Sequence, residues 1–129
     1  LVATADTRGF EAWLEREWMP SLRHRYPAGS GAESEAWLID HVHAPGTAPD
    51  DVVADHPAHF HIDLLTEAQG HGLGRRLIER VLAQLADRGV PGVHLGVVAG
   101  NTSAITFYER LGFTRFREEP SVVWMTRAV

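Results

Sequence analysis

An alternating run that ends in a glycine-rich turn and an amphipathic helix constrains this chain more than any other feature. From Ala58 to Leu65, Phe60, Ile62 and Leu64 fall on one side and His59, His61 and Asp63 on the other. That period of two predicts a strand. The turn Gln69-Gly70-His71-Gly72-Leu73-Gly74 follows. From Gly72 to about Arg88, Leu73, Leu77, Val81 and Leu85 make one stripe, widened by Ile78 and Leu82, which predicts a helix. Gly89 is placed to cap it and Pro91 bars its continuation. Val93 to Val98 reads as a second strand, parallel to the first if the helix is a crossover.

The flanking segments complete the order. Leu1 to Thr4 reads as a strand end. A helix then starts after Asp6 or Thr7, with Phe10, Leu14, Trp18 and Leu22 at four-residue spacing and Trp13 beside them. Pro20 should kink or divide it and Pro27 should end it. Trp13 and Trp18 are expected in the core. Ala28 to Ala32 is a loop and Ser34 to His43 a short helix; Pro45, Gly46, Pro49 and Pro57 punctuate a mostly irregular stretch. Asp50, Asp51 and Asp55 read as a solvated loop and helix start. Beyond the second strand, a helix from about Thr102 to Leu111 is capped by Asn101 or Thr102 and ended by Gly112. Phe113 to Arg117 and Val122 to Arg127 then form a hairpin around Glu119-Pro120. The pattern is α/β (α+β): a mixed central sheet with flanking helices in a single domain over 1–129.

Composition narrows the chemistry. No cysteine is present, which excludes disulfides, thiolate metal sites and a cysteine nucleophile. A net charge of −5 argues against a nucleic-acid partner, and no apolar run approaches a membrane span. A cytoplasmic protein is the simplest expectation.

Three glycines in five residues let the backbone turn tightly and approach a ligand closely. The first N–H groups of the following helix lack intrahelical partners and sit at its positive end, so together they make an anion site. Arg75 at the rim adds a charge-assisted contact. A nucleotide loop ending Gly-Lys-Ser/Thr is excluded, since the chain has no lysine. The dinucleotide pattern fails too, because only Leu73 separates its second and third glycines. A phosphate or pyrophosphate cradle and a turn used only for strand–helix packing both remain.

Gln69-Gly-His-Gly-Leu-Gly74 resembles the acetyl-CoA-binding signature of GNAT-superfamily N-acetyltransferases. Asn101-Thr-Ser-Ala104-Ile-Thr-Phe107-Tyr108-Glu-Arg-Leu111-Gly112-Phe113 is similar to that superfamily's second hallmark. The resemblance covers about 57–129, the expected acetyl-CoA-binding core. More narrowly, Pro57-Ala-His-Phe-His-Ile-Asp-Leu-Leu65 with the loop resembles bacterial relatives of the acetyltransferase-like domain of O-GlcNAcases. The resemblance implies a transfer of acetyl from acetyl-CoA, as co-substrate, to a primary amine by direct attack in a ternary complex. It assigns cofactor binding to the backbone of Leu64 and Leu65 along the pantetheine arm. The loop Gln69, Gly70, His71, Gly72, Leu73 and Gly74, with Arg75, would hold the pyrophosphate. Asn101 would contact pantetheine or neighbouring backbone, Ala104 would leave room, and Tyr108 would meet the thioester as general acid. Leu1 to Thr4 resembles the family's third strand, so the preceding strands and helices are missing from the expected sheet. That predicts a homodimer or a bound companion N-terminal segment.

An incoming ammonium also needs a base. The polar side of the Ala58–Leu65 strand supplies Asp63, nearest the expected acetyl group, and His61, which titrates in a useful range. A strand flanked by helices should bury these groups, giving them partners or a function. Trp13, Trp18 and Trp37 precede that strand, where the resemblance often places acceptor-shaping elements. Two alternatives stand beside the transferase. One is a non-catalytic acyl-CoA-binding module. The other is a metal-dependent hydrolase on His59, His61 and Asp63, with His56 nearby; the transferase itself needs no metal.

Overall fold

The computed structural model describes residues 1–129. In chain order it contains β1 (Val2–Thr4), α1 (Thr7–Trp13), a π-helical turn (Leu14–Trp18), α2 (Met19–Arg25), a 3-10 turn (Glu33–Glu35), α3 (Ala36–His43), α4 (Asp50–Asp55), β2 (Ala58–His61), a 3-10 turn (Thr66–Ala68), α5 (Leu73–Asp87), β3 (Gly92–Val98), α6 (Thr102–Arg110), β4 (Thr114–Glu118) and β5 (Val122–Ala128). These fall into two compact units, Leu1–Thr7 with Pro49–Val129, and Arg8–Ala48.

The first unit is an α+β fold on a mixed five-stranded sheet of order β1-β2-β3-β5-β4. β2 and β3 are parallel, as the crossover helix requires, and the other neighbours are antiparallel. The 57–129 core expected from the sequence lies wholly inside this unit. One sheet face carries Ala58, Phe60, Val93, Leu95, Val97, Val123 and Met125 against Ile78, Leu82 and Leu85 of α5 and Ile105 of α6. α4 brings buried Val52 and Val53 into contact with β3. This helix begins at Asp50, where the sequence places a solvated loop and helix start within a mostly irregular stretch, with Pro49 before two aspartates as its start signal.

The buried stripe of α5 is Gly74, Ile78, Leu82 and Leu85: Leu85 and the widening residues Ile78 and Leu82 of the expected face are buried, whereas Leu73 and Val81 are only partly buried and Leu77 is exposed. Glycine adds nothing to a hydrophobic pattern, yet Gly74 belongs to the packed face at the start of the helix. Ile78 is 0% exposed and Leu77 40%. Ile78→Ala should therefore cost about 2–5 kcal/mol, and Leu77→Ala less than about 1 kcal/mol, in denaturant unfolding. Equal losses would contradict this packing.

β2 is shorter than the expected Ala58–Leu65. Toward β3 it pairs only Ala58 with Val93 and His59 with His94, whereas β3 stays paired to β5 through Val98. The two parallel strands part after His59, and with no ladder on that side residues 62–65 leave the sheet. His61 and Asp63 are consequently exposed, at 74% and 87% of their side chains, so the expected burial of the polar side fails there.

In the Arg8–Ala48 unit, the division expected at Pro20 occurs one turn early, as the π-helical turn, and α2 begins with Pro20 in its first turn. Trp13 and Trp18 are exposed rather than core, with ring centroids 6.4 Å apart, and Phe10 stacks on Trp13 at 6.2 Å. The residue added per turn in the π-helical stretch rotates the four-residue stripe off one face.

Candidate active site

Where β2 and β3 part, a cleft of about 470 Å³ opens between residues 62–75 and α6. The glycine turn forms one end. Gly70 and Gly72 have φ of 75° and 73°, in the left-handed region that side chains rarely adopt, and a Cβ on either would meet nothing within 4 Å. Their requirement is conformational, and the space beside them is open. Gly74 differs: a Cβ there would lie 3.2 Å from Leu64 Cδ1 and from Phe107 Cζ, so this glycine lets α5 approach both side chains. The first backbone bond of α5 runs from Arg76 N–H to Gly72 O at 3.1 Å. The amides of Leu73, Gly74 and Arg75 thus have no carbonyl one turn earlier and face the helix's positive end.

Of the loop residues expected from the sequence, Gln69, Gly70, Gly72, Leu73, Gly74 and Arg75 line the cleft. His71 is exposed and does not. Arg75 reaches Glu79 at 3.4 Å, an exposed pair that holds it weakly. Leu64 lines the cleft and Leu65 does not. Their carbonyls are both engaged: Gln69 Nε2 donates to Leu64 O at 3.0 Å, and Ala68 N–H to Leu65 O at 2.9 Å.

On the α6 side, Asn101, Ala104 and Tyr108 all line the cleft. Asn101 caps the helix, its side-chain oxygen accepting from Ala104 N–H at 3.1 Å. Tyr108 is half-buried, its ring 5.3 Å from Phe107, 5.7 Å from Phe113 and 6.2 Å from Phe60. Burial raises its pKa above the ordinary phenol value, and the Asp63 carboxylate raises it further. The Asp63 charge therefore acts on the phenol, although Asp63 itself stands outside the cleft lining. Asp63 Oδ2 is 2.7 Å from His61 Nε2, so the two candidate bases form one pair.

Ile62, Ala68, Ser103 and Phe107 also line the cleft and drew no role from the sequence. Phe107 had a signal, since it precedes Tyr108 within the second motif, and Ile62 stands between Phe60 and Leu64 on the apolar side of the alternating run.

The metal alternative asked His59, His61 and Asp63 to converge. The Thr7 hydroxyl donates its one proton to Pro57 O at 2.7 Å, so His59 Nδ1, 2.8 Å from the same oxygen, must carry a hydrogen and donate. That nitrogen is committed, and His61 turns to Asp63. No three His, Asp or Glu side chains are grouped to hold a metal ion. The arrangement gives the hydrolase reading no support. No helix is long and apolar enough to cross a membrane.

A family model described as the acetyltransferase (GNAT) family matches residues 43–113. The mycothiol acetyltransferase of Catenulispora acidiphila is 57% identical over 47 residues, covering 36% of this chain and 15% of that protein. The [ribosomal protein bS18]-alanine N-acetyltransferase of Escherichia coli K12 is 44% identical over 62 residues, covering 48% and 42%. This chain therefore spans less than half the length of either relative. The crystal structure of SsHAT matches with a TM-score of 0.76 and 36% identity over 98% of this chain and 63% of that one. A PaiA N-acetyltransferase from Thermoplasma acidophilum, solved with coenzyme A, shares the fold at 18% identity and a TM-score of 0.56, over 99% and 98% of the two chains.

Proposed function

The chain belongs to the acetyltransferase (GNAT) family, and on that premise we propose that it moves acetyl from acetyl-CoA to a primary amine by direct attack in a ternary complex. One observation carries the reading. A single cleft has outward-facing helix-end amides at the glycine turn and a proton-bearing phenol, Tyr108, on its α6 wall. Open space at Gly70 and Gly72 suits a diphosphate lying on the backbone, with Arg75 at its edge. Gln69 holds the Leu64 carbonyl where a pantetheine amide would donate, so we read that side chain as a stand-in that yields to the ligand.

The co-substrate supplies an activated thioester. Tyr108 gives its proton to the departing sulfur, and its raised pKa keeps that proton in place at neutral pH. The Asp63–His61 pair accepts the proton the ammonium must lose before its nitrogen can attack. Exposure of both groups supports an acceptor arriving from solvent. Within the family, the run Pro57–Leu65 supports kinship with bacterial relatives of the O-GlcNAcase acetyltransferase-like domain. The outer edge of β1 is where a companion strand or second copy would add.

Calorimetric titration with acetyl-CoA, followed by thiol release with a panel of primary amines, tests the proposal. Saturable binding with amine-dependent thiol release is expected. Binding without release from any amine would favour a non-catalytic acyl-CoA-binding module, and no binding would remove both readings.

A further inference from the structure

The Arg8–Ala48 unit contains its own cavity, about 430 Å³, between α2, α3 and the loop joining them. That volume lies within the range of small-molecule sites. Its wall is aliphatic, from Leu22, Leu38, Ile39 and Val42, with the Tyr26 ring alongside. Glu35 is the one charged side chain in the lining. The neighbouring guanidinium groups are held by other partners: Arg23 is paired with Glu15 and donates from Nε to Val42 O at 3.0 Å, and Arg25 lies 5.5 Å from the centre of the Tyr26 ring; neither joins the lining.

Local geometry fixes the carboxylate. Gly31 has φ 84°, and a Cβ there would lie 2.7 Å from Ile39 Cδ1 and 3.0 Å from Glu35 Oε2, so the loop closes directly onto both. Glu35 Oε2 accepts from Ala32 N–H at 3.1 Å. One carboxylate oxygen is thereby anchored. The other is uncommitted among these contacts, and a cationic donor at the edge of an apolar wall is its strongest partner.

We propose that this cavity binds a small organic ammonium carrying an aromatic or branched aliphatic group, the hydrocarbon against Leu22, Ile39 and Val42 and the nitrogen on Glu35. Every residue involved lies in the Arg8–Ala48 unit, so the site stands whether or not the chain transfers acetyl groups.

The test is saturation-transfer NMR and calorimetry on the whole chain with 2-phenylethylamine, set against its neutral analogue 2-phenylethanol. Saturable amine binding is expected, with affinity about threefold above the alcohol, the scale of one ion pair on an exposed carboxylate. Glu35→Gln keeps an oxygen for Ala32 N–H and should remove that preference while leaving alcohol binding unchanged. Val42→Phe fills the cavity and should abolish binding of both, with circular dichroism and the dispersion of its NMR spectrum confirming that the chain remains folded. Equal binding of amine and alcohol to the wild type, an unaltered preference in Glu35→Gln, or undiminished binding in Val42→Phe would each overturn the assignment, as would the absence of saturable amine binding.

Discussion

Tyr108→Phe should lower kcat for acetyl transfer by about 100- to 1000-fold while leaving the Kd for acetyl-CoA within about twofold. The asymmetry follows from where the side chain sits. Its ring is held among Phe60, Phe107 and Phe113, and phenylalanine preserves those contacts, so only the oxygen and its proton are lost. The pH profile separates a proton donor from a packing residue. Burial and the Asp63 charge both favour the protonated phenol, so the donor is present at neutral pH and is lost only as pH rises through a pKa above the ordinary value. The wild-type alkaline limb should therefore lie above about pH 10. Asp63→Asn removes one of the two causes and should move that limb downward, although burial, the larger cause, remains. Continuous thiol-release assays across the alkaline range read both effects. An undiminished kcat in Tyr108→Phe would remove the general-acid role.

The glycine turn and the second motif were legible because each writes its physics locally: left-handed φ at Gly70 and Gly72, a side-chain cap at Asn101, a positive φ at Gly112. β-strand extent was not. Alternation through Leu65 describes which way side chains point, whereas β2 ends at His61 because its ladder to β3 stops at His59 and the two strands diverge, while β3 continues paired to β5 on its other edge. That same divergence opens the cleft, so the length of the strand and the existence of the site are one fact, and it depends on a partner distant in sequence. Exposure of His61 and Asp63 was misjudged for the same reason. The outward turn of Trp18 depends on the π-helical stretch that ends at it, which no period-3.6 reading contains.

Two substitutions in the turn should separate its glycines by role. At Gly72 the backbone is left-handed and the volume beyond a Cβ is empty. Asparagine tolerates that conformation better than any other common residue, so Gly72→Asn should cost less than about 1 kcal/mol of stability. Its side chain nevertheless enters the space proposed for the diphosphate, and the Kd for acetyl-CoA should rise at least about tenfold, equivalent to about 1.4 kcal/mol. At Gly74 the conformation is ordinary and the space is full, with Leu64 and Phe107 each 3.2 Å from a Cβ. Gly74→Val should destabilise the fold by about 1–3 kcal/mol through overpacking, lowering the thermal midpoint. It also displaces two cleft residues and weakens binding as a consequence. Calorimetry paired with thermal unfolding distinguishes the cases: Gly72→Asn loses ligand and keeps its midpoint, whereas Gly74→Val loses both. Unaltered acetyl-CoA affinity in Gly72→Asn would mean that the turn serves only to pack α5 on the sheet.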